Sequence, residues 1–299
     1  MTVSLRLRGV YVPLVTPFGP DGKVALDSVE RLAHECLDAG AAGLVALGTT
    51  GEPATLDAAE KEAVIDTCAA VCRERGAALI VGAGSNSTAD SVRALRALGQ
   101  RPAVVASLSV VPYYTRPSEQ GILEHFRTLA AESPVPVIVY NIPYRTGRAV
   151  SAEGLLALAA TPNIAGVKHA VGGIDQDTLD LLAAAPDGFA VLCGDDAYLY
   201  PMLCLGGTGG ILAAAHVCTE RFVRMVEAVL SGDLAAGRTL ARRLQPLVTA
   251  LFAEPNPAVT KGVLHAQGRI PSPSLRAPMT PASPAAVDRA LAAIDQIGP

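Results

Sequence analysis

Residues 136–168 read PVIVYNIPYRTGRAVSAEGLLALAATPNIAGVK, a stretch bracketed by two short apolar runs, Pro136–Tyr140 and Ile164–Lys168. Neither run alternates apolar with polar residues, as a strand with one wet face would. Both read as strands covered on two faces, the pattern of a parallel sheet sheathed by helices. Runs of the same kind recur along the whole chain: Val10–Val15, Gly43–Leu47, Ala78–Ala83 and Ala103–Val111 before this stretch, Phe189–Cys193 and Gly210–Ala214 after it. Segments with helical spacing lie between them. Val64, Ile65, Cys68, Val71 and Cys72 make one apolar stripe, and Ile122, Leu123, Phe126, Leu129 and Ala130 another. Asp57 with Glu60 and Ser87 with Asp90 have the spacing of helix N-caps, and Gly40, Gly76 and Gly99 stand where helices should stop.

Eight strand–helix alternations without a break are the count of a closed (β/α)₈ barrel; an open doubly wound sheet usually has fewer strands. The spacing predicts the barrel over residues 1–218 and a C-terminal helical region over 219–299. In that second region Phe222, Val223, Val226, Val229 and Leu230 form one stripe, continued by Leu240, Leu244, Leu247 and Leu251. The Pro/Ser/Ala-rich stretch from Pro271 to Ala286 reads as an ordered linker.

Half of the 299 residues are hydrophobic, enough for a large core, and the formal net charge is −4. That balance argues against a nucleic-acid binder, which concentrates Lys and Arg to track phosphates. It suits an enzyme of small molecules. No apolar run reaches the ~18 residues of a membrane span, and the N-terminus lacks a signal-peptide core, so a cytoplasmic protein is expected. Cys36, Cys68, Cys72, Cys193, Cys204 and Cys218 fall in apolar stretches without CxxC spacing and read as reduced core residues. The histidines at 34, 125, 169, 216 and 265 show no HxH or HExxH spacing, so no metal site is expected. Gly82-Ala83-Gly84 opens like a dinucleotide loop, but Ser87 stands in place of the third glycine. Asp195-Asp196 reads as a helix N-cap before it reads as a cation site.

Barrel enzymes carry their chemistry at the C-terminal ends of the strands, and four ends here are polar. They are Gly48-Thr49-Thr50-Gly51-Glu52, Pro112-Tyr113-Tyr114, Tyr140-Asn141 and Lys168. A lysine closing an apolar strand has two readings. Burial can depress its ammonium and free the amine to attack a carbonyl, or a carboxylate at the rim can pair with it. Tyr140 either shuttles protons or packs its ring and bonds its hydroxyl. Thr49 and Thr50 sit in a glycine-flanked turn whose N–H groups and hydroxyls suit a carboxylate, although such turns also serve as plain connectors. Arg145 offers a guanidinium fork for a second carboxylate, or is simply solvated.

Taken in order, seven pieces resemble the dihydrodipicolinate synthase / N-acetylneuraminate lyase family over about Gly9 to Pro281. They are Val15-Thr16-Pro17-Phe18, the turn Gly48 to Glu52, Pro112-Tyr113-Tyr114, Tyr140-Asn141-Ile142-Pro143, Gly166-Val167-Lys168, Gly194-Asp195-Asp196 and Glu254-Pro255-Asn256-Pro257. The resemblance implies a class I aldolase in which Lys168 forms an imine with pyruvate and no other cofactor is needed. It implies that Tyr140 transfers protons, that Thr49 links Tyr140 to Tyr114 in a relay, and that the tyrosine at 114 crosses into a neighbouring subunit's site in a homodimer or homotetramer. It further implies that Thr49 and Thr50 bind the pyruvate carboxylate, with the backbone of Gly194 and Ile211 nearby. Arg145-Thr146-Gly147 and Leu275-Arg276-Ala277-Pro278 resemble the synthase branch, where the arginine holds the carboxylate of L-aspartate 4-semialdehyde on the way to lysine. Three positions depart from the family pattern. His169 replaces a usual acidic or amide residue, Val111 a common threonine, and Tyr144 a frequent serine. Strand alternation turns His169 away from Lys168, toward the helices. Two other readings compete: an aldolase for another aldehyde, such as 2-keto-3-deoxygluconate, N-acetylneuraminate or a specialised metabolite, and a catalytically silent ketoacid-binding barrel.

Overall fold

A computed structural model describes residues 6–298. Its strands are β1 (Gly9–Pro13), β2 (Gly43–Ala46), β3 (Ala78–Gly82), β4 (Val104–Val110), β5 (Val137–Asn141), β6 (Ile164–His169), β7 (Ala190–Cys193) and β8 (Gly209–Ile211). They are hydrogen-bonded in chain order as a closed barrel. Each falls on one of the non-alternating apolar runs, and β2, β5 and β7 are buried along their full length. That is why these strands do not alternate: successive residues face opposite sides, one set filling the barrel and the other meeting the helices, and both are buried. Several runs extend past their strands: the first, to Val15, outlasts β1, which ends at Pro13, and the eighth, to Ala214, outlasts β8. That last strand ends at Ile211, because Ala214–His216 coil into a short 3₁₀ turn.

Helix ends follow local chemistry. Asp57 accepts from the Glu60 N–H while the Glu60 side chain accepts from the Asp57 N–H, a reciprocal capping box opening the helix Ala58–Arg75. Gly76 closes that helix at φ 62, a left-handed conformation that costs glycine nothing. Ser87 caps the helix Thr88–Leu98 by accepting from Asp90 N–H at 3.3 Å.

The chain clusters into two compact units. One contains Leu79–Ile211 with the described N-terminal residues up to Gly9, and it holds β4 to β8 and the helices between them. Its parallel pairing sets Val110 beside Tyr140, Tyr140 beside Lys168, and Lys168 beside Leu192. The other contains Val10–Ala78 with the described residues from Leu212 onward. Here the helix Leu234–Leu251 packs on Thr219–Leu230 and on Pro284–Ile297, and its Leu244, Leu247, Val248 and Leu251 are buried. The stretch from Pro271 runs as an ordered segment until Ser283, whose hydroxyl caps the last helix by accepting from Ala286 N–H.

All six cysteines are free, and Cys36, Cys68, Cys72 and Cys193 are buried as expected. Burial pushes the thiols of Cys36 and Cys72 up to about 11 and about 12, which makes them inert. Cys204 departs from that reading. It ends the short helix Leu199–Cys204, and the chain turns there, leaving it exposed rather than in the core.

Candidate active site

Lys168 is the penultimate residue of β6 and Tyr140 the penultimate residue of β5, and the register sets their Cα atoms side by side. Directly paired residues on parallel strands point to the same face, so the two side chains rise together. The Lys168 Nζ stands 4.3 Å from the centre of the Tyr140 ring, and each residue is only 6% exposed. Burial pushes the Lys168 ammonium from 10.5 down to about 8, against the coulombic pull of Asp196, Asp195 and then Tyr144. The amine is therefore available as a nucleophile close to neutral pH.

Gly194, just past β7, leaves room for that lysine. A β-carbon there would lie 2.9 Å from both Cγ and Cε of Lys168 and 2.8 Å from Cβ of Ala170. Its N–H donates to the carbonyl of His169 at 2.8 Å. Asp195 does not cap a helix with its side chain. Its Oδ2 instead accepts from the Gly172 N–H at 2.7 Å, which ties the loop after β6 to the loop after β7. Ile211, the last residue of β8, is buried.

Arg145 lies in the turn Pro143–Thr146 after β5 and is exposed. The Thr146 hydroxyl fixes that turn by donating to the carbonyls of Ile142 and Arg148, and Asn141 fixes its exit through two bonds with the backbone of Val150. The Arg145 Nε donates to the Tyr144 hydroxyl at 3.0 Å, and its guanidinium carbon lies 5.1 Å from the centre of the Tyr144 ring. Tyr114 has φ 69 and is 88% exposed.

Thr49 and Thr50 open a 3₁₀ turn, Thr49–Gly51, after β2. Thr16 donates to the Gly51 carbonyl at 2.7 Å, and Thr50 is buried. The structure reveals a frame behind this turn. Glu52, at φ 53, accepts from Lys261 Nζ at 2.6 Å through one oxygen and from the Arg276 N–H at 3.1 Å through the other. Lys261 is wholly buried, also donates to the Ser274 carbonyl at 2.8 Å, and lies 4.1 Å from the Phe18 ring centre. Arg276 stacks at 4.6 Å from the centre of the same ring and grips the Glu60 carboxylate with both terminal nitrogens, holding that carboxyl at about 2. Asn256 donates to the Thr50 hydroxyl oxygen at 3.0 Å. Lys261 carries no motif signal, since one lysine in the helix Ala258–Ala266 looks like any solvated residue.

Four of the histidines have hydrogen-bond partners within the protein. His125 meets the Thr88 hydroxyl, His216 accepts from the Val15 N–H, and His265 meets the Ile270 carbonyl. His169 turns away from Lys168 to meet the Thr178 hydroxyl at 2.9 Å. Burial pushes both His125 and His216 down to about 4. Among the described residues there is no cluster of three or more metal-ligating side chains, and no helix is long and apolar enough to cross a membrane.

Residues 6–297 match the model of the Dihydrodipicolinate synthetase family. A 4-hydroxy-tetrahydrodipicolinate synthase of Moorella thermoacetica is 41% identical over 292 residues, covering 97% of this chain and 98% of its own. One from Neisseria meningitidis is 40% identical over 275 residues, covering 92% and 93%. Among solved structures, the chloride-inhibited dihydrodipicolinate synthase from Acinetobacter baumannii complexed with pyruvate superimposes with a TM-score of 0.93 at 32% identity, covering 98% of this chain and 99% of that one.

Proposed function

Because the chain belongs to the Dihydrodipicolinate synthetase family, we propose that it condenses pyruvate with L-aspartate 4-semialdehyde to 4-hydroxy-tetrahydrodipicolinate through an imine on Lys168. The observation that carries this reading is the buried Lys168 amine, lowered to about 8 and set over the Tyr140 ring. The names of the relatives favour the semialdehyde over a sugar acid.

The neutral amine adds to the keto carbon of pyruvate, and loss of water leaves an iminium. Tyr140, left as a phenolate once its proton has gone out with the departing water, takes a proton from the methyl carbon as the iminium draws in the electrons of that C–H bond. The enamine so formed makes the carbon–carbon bond to the aldehyde, whose oxygen takes up a proton. The amino group of the semialdehyde then attacks the iminium carbon, closes the ring and releases Lys168. The imine itself is the electron sink, so neither metal nor cofactor takes part. Thr49 and Thr50 hold the ketoacid carboxylate, with the backbone of Gly194 and Ile211 beside the ketoacid. The terminal nitrogens of Arg145 take the carboxylate of the semialdehyde.

Tyr114, exposed in a single chain, serves a neighbour's site and is joined to Tyr140 through Thr49, so the working enzyme is at least a dimer and belongs to lysine synthesis. The unpaired cysteines suit a cytoplasmic enzyme. Borohydride added with pyruvate tests the reading. A reduced pyruvyl group on the Lys168 peptide, seen by mass spectrometry, is expected; an unmodified peptide at saturating pyruvate overturns it.

A further inference from the structure

Asn256 reaches Thr50 across 206 residues of sequence, and what it does there differs from what the rest of the frame does. Lys261 and the Arg276 backbone hold the exit of the turn by its carboxylate, Glu52. Asn256 instead donates from Nδ2 into the hydroxyl oxygen of Thr50, at 3.0 Å. A hydroxyl has one proton to give and two lone pairs to receive with. An amide that donates to it occupies a lone pair and leaves the proton for another acceptor.

The opposite amide orientation would consume the Thr50 proton at Oδ1 and strand an NH₂ group in the interior. As placed, the atom left without a partner is the acceptor Oδ1. A buried acceptor without a partner is tolerated better than a buried donor without one, which favours the orientation shown.

We propose that Asn256 is a positioning residue for the ketoacid site, fixing the Thr50 hydroxyl so that its proton is presented to the carboxylate of the bound ketoacid. This rests on the reading of Thr50 as a carboxylate ligand. Asn256 itself touches no reacting atom, and its effect passes through one hydroxyl. Its loss should therefore weaken ketoacid binding only while that hydroxyl is present.

The test is a double-mutant cycle on the full chain. Borohydride trapping at Lys168 is followed by intact mass against pyruvate concentration, with no aldehyde present. Asn256→Ala should raise the half-saturating pyruvate concentration about tenfold, the scale of one hydrogen bond to a charged group. Thr50→Val should raise it similarly, and adding Asn256→Ala to Thr50→Val should change it no further. The near-isosteric Asn256→Asp should raise it at least as much as Asn256→Ala, since its carboxylate captures the Thr50 proton and repels the ligand; it stands in if the alanine variant fails to fold.

An Asn256→Ala or Asn256→Asp curve that matches the wild type, or an equal Asn256→Ala shift with and without the Thr50 hydroxyl, overturns the proposal. A wild type that is not trapped by pyruvate, or a Thr50→Val variant with an unchanged curve, overturns the underlying reading of the site and the proposal with it.

Discussion

Gly194 has no side chain where Lys168 has its stem: a β-carbon there would come within 2.9 Å of both Cγ and Cε of the lysine. The amine thus owes its place to an absent methyl group on the next strand's exit. Gly194→Ala must push the stem aside in a packed interior, a strain of about 1–3 kcal/mol. The expected result is a folded protein whose Lys168 is trapped by pyruvate and borohydride at least tenfold more slowly. A wild-type trapping rate would mean that the stem is free to swing.

Lys168 should also weaken the fold it serves. Its folded-state value, about 8, lies below the ordinary 10.5, so the penalty for burying the cation is fully present below pH 8 and disappears as pH rises to 10.5. Lys168→Met is therefore expected to raise the stability at pH 7 by about 1–3 kcal/mol, with the gain shrinking toward pH 10. Thermal unfolding across that range checks both the sign and the slope.

Tyr140→Phe keeps the ring that lies beneath the Lys168 amine and removes only the hydroxyl. Turnover is expected to fall by roughly 10²- to 10⁴-fold, the range for losing a general acid or base, while pyruvate still reacts with Lys168. Near-normal turnover in steady-state assays would leave the phenol a packing role.

Arg145 is exposed and already spends its Nε on Tyr144. Arg145→Ala should raise the KM for L-aspartate 4-semialdehyde by roughly 10- to 100-fold, equivalent to about 1.5–3 kcal/mol for bonds to a charged group. Trapping of pyruvate alone should be unaffected. Equal losses for both substrates would argue that the arginine shapes the site as a whole.

Lys261→Met leaves the Glu52 carboxylate buried without its cation. Breaking one side of such a pair costs about 3–5 kcal/mol, whereas replacing both sides with uncharged residues is often close to neutral. Denaturant titration should find the single variant strongly destabilised, and Lys261→Met with Glu52→Gln largely restored. A single variant as stable as the wild type would mean that water solvates Glu52.

The barrel strands and the two strand ends that carry Lys168 and Tyr140 were legible because they are one-dimensional patterns. Apolar runs without alternation announce doubly covered strands, and Lys168 and Tyr140 break such runs at their last positions. His169 was legible for the same reason, since period two alone turns it toward Thr178. What stayed hidden depends on contacts far apart in sequence. Lys261 becomes special only when Glu52, 209 residues earlier, is folded against it, and Asn256 only when Thr50 is. The need for glycine at 194 is set by the Lys168 side chain on another strand. The exposure of Cys204 reflects where a short helix stops, which a run of apolar neighbours does not reveal.

Arg276 follows Glu60 by 216 residues, and Lys261 follows Glu52 by 209. At a translation speed of about 5–20 residues per second, the acidic halves of these pairs leave the ribosome roughly 10–40 s before their basic halves. For that interval Glu52 and Glu60 lack the cations that pair with them in the folded protein. A product cut short before residue 261 would possess Lys168, Tyr140, Arg145 and both threonines and still lack both cations. Completion of the chain thus becomes a condition for the turn to set as it does in the folded protein.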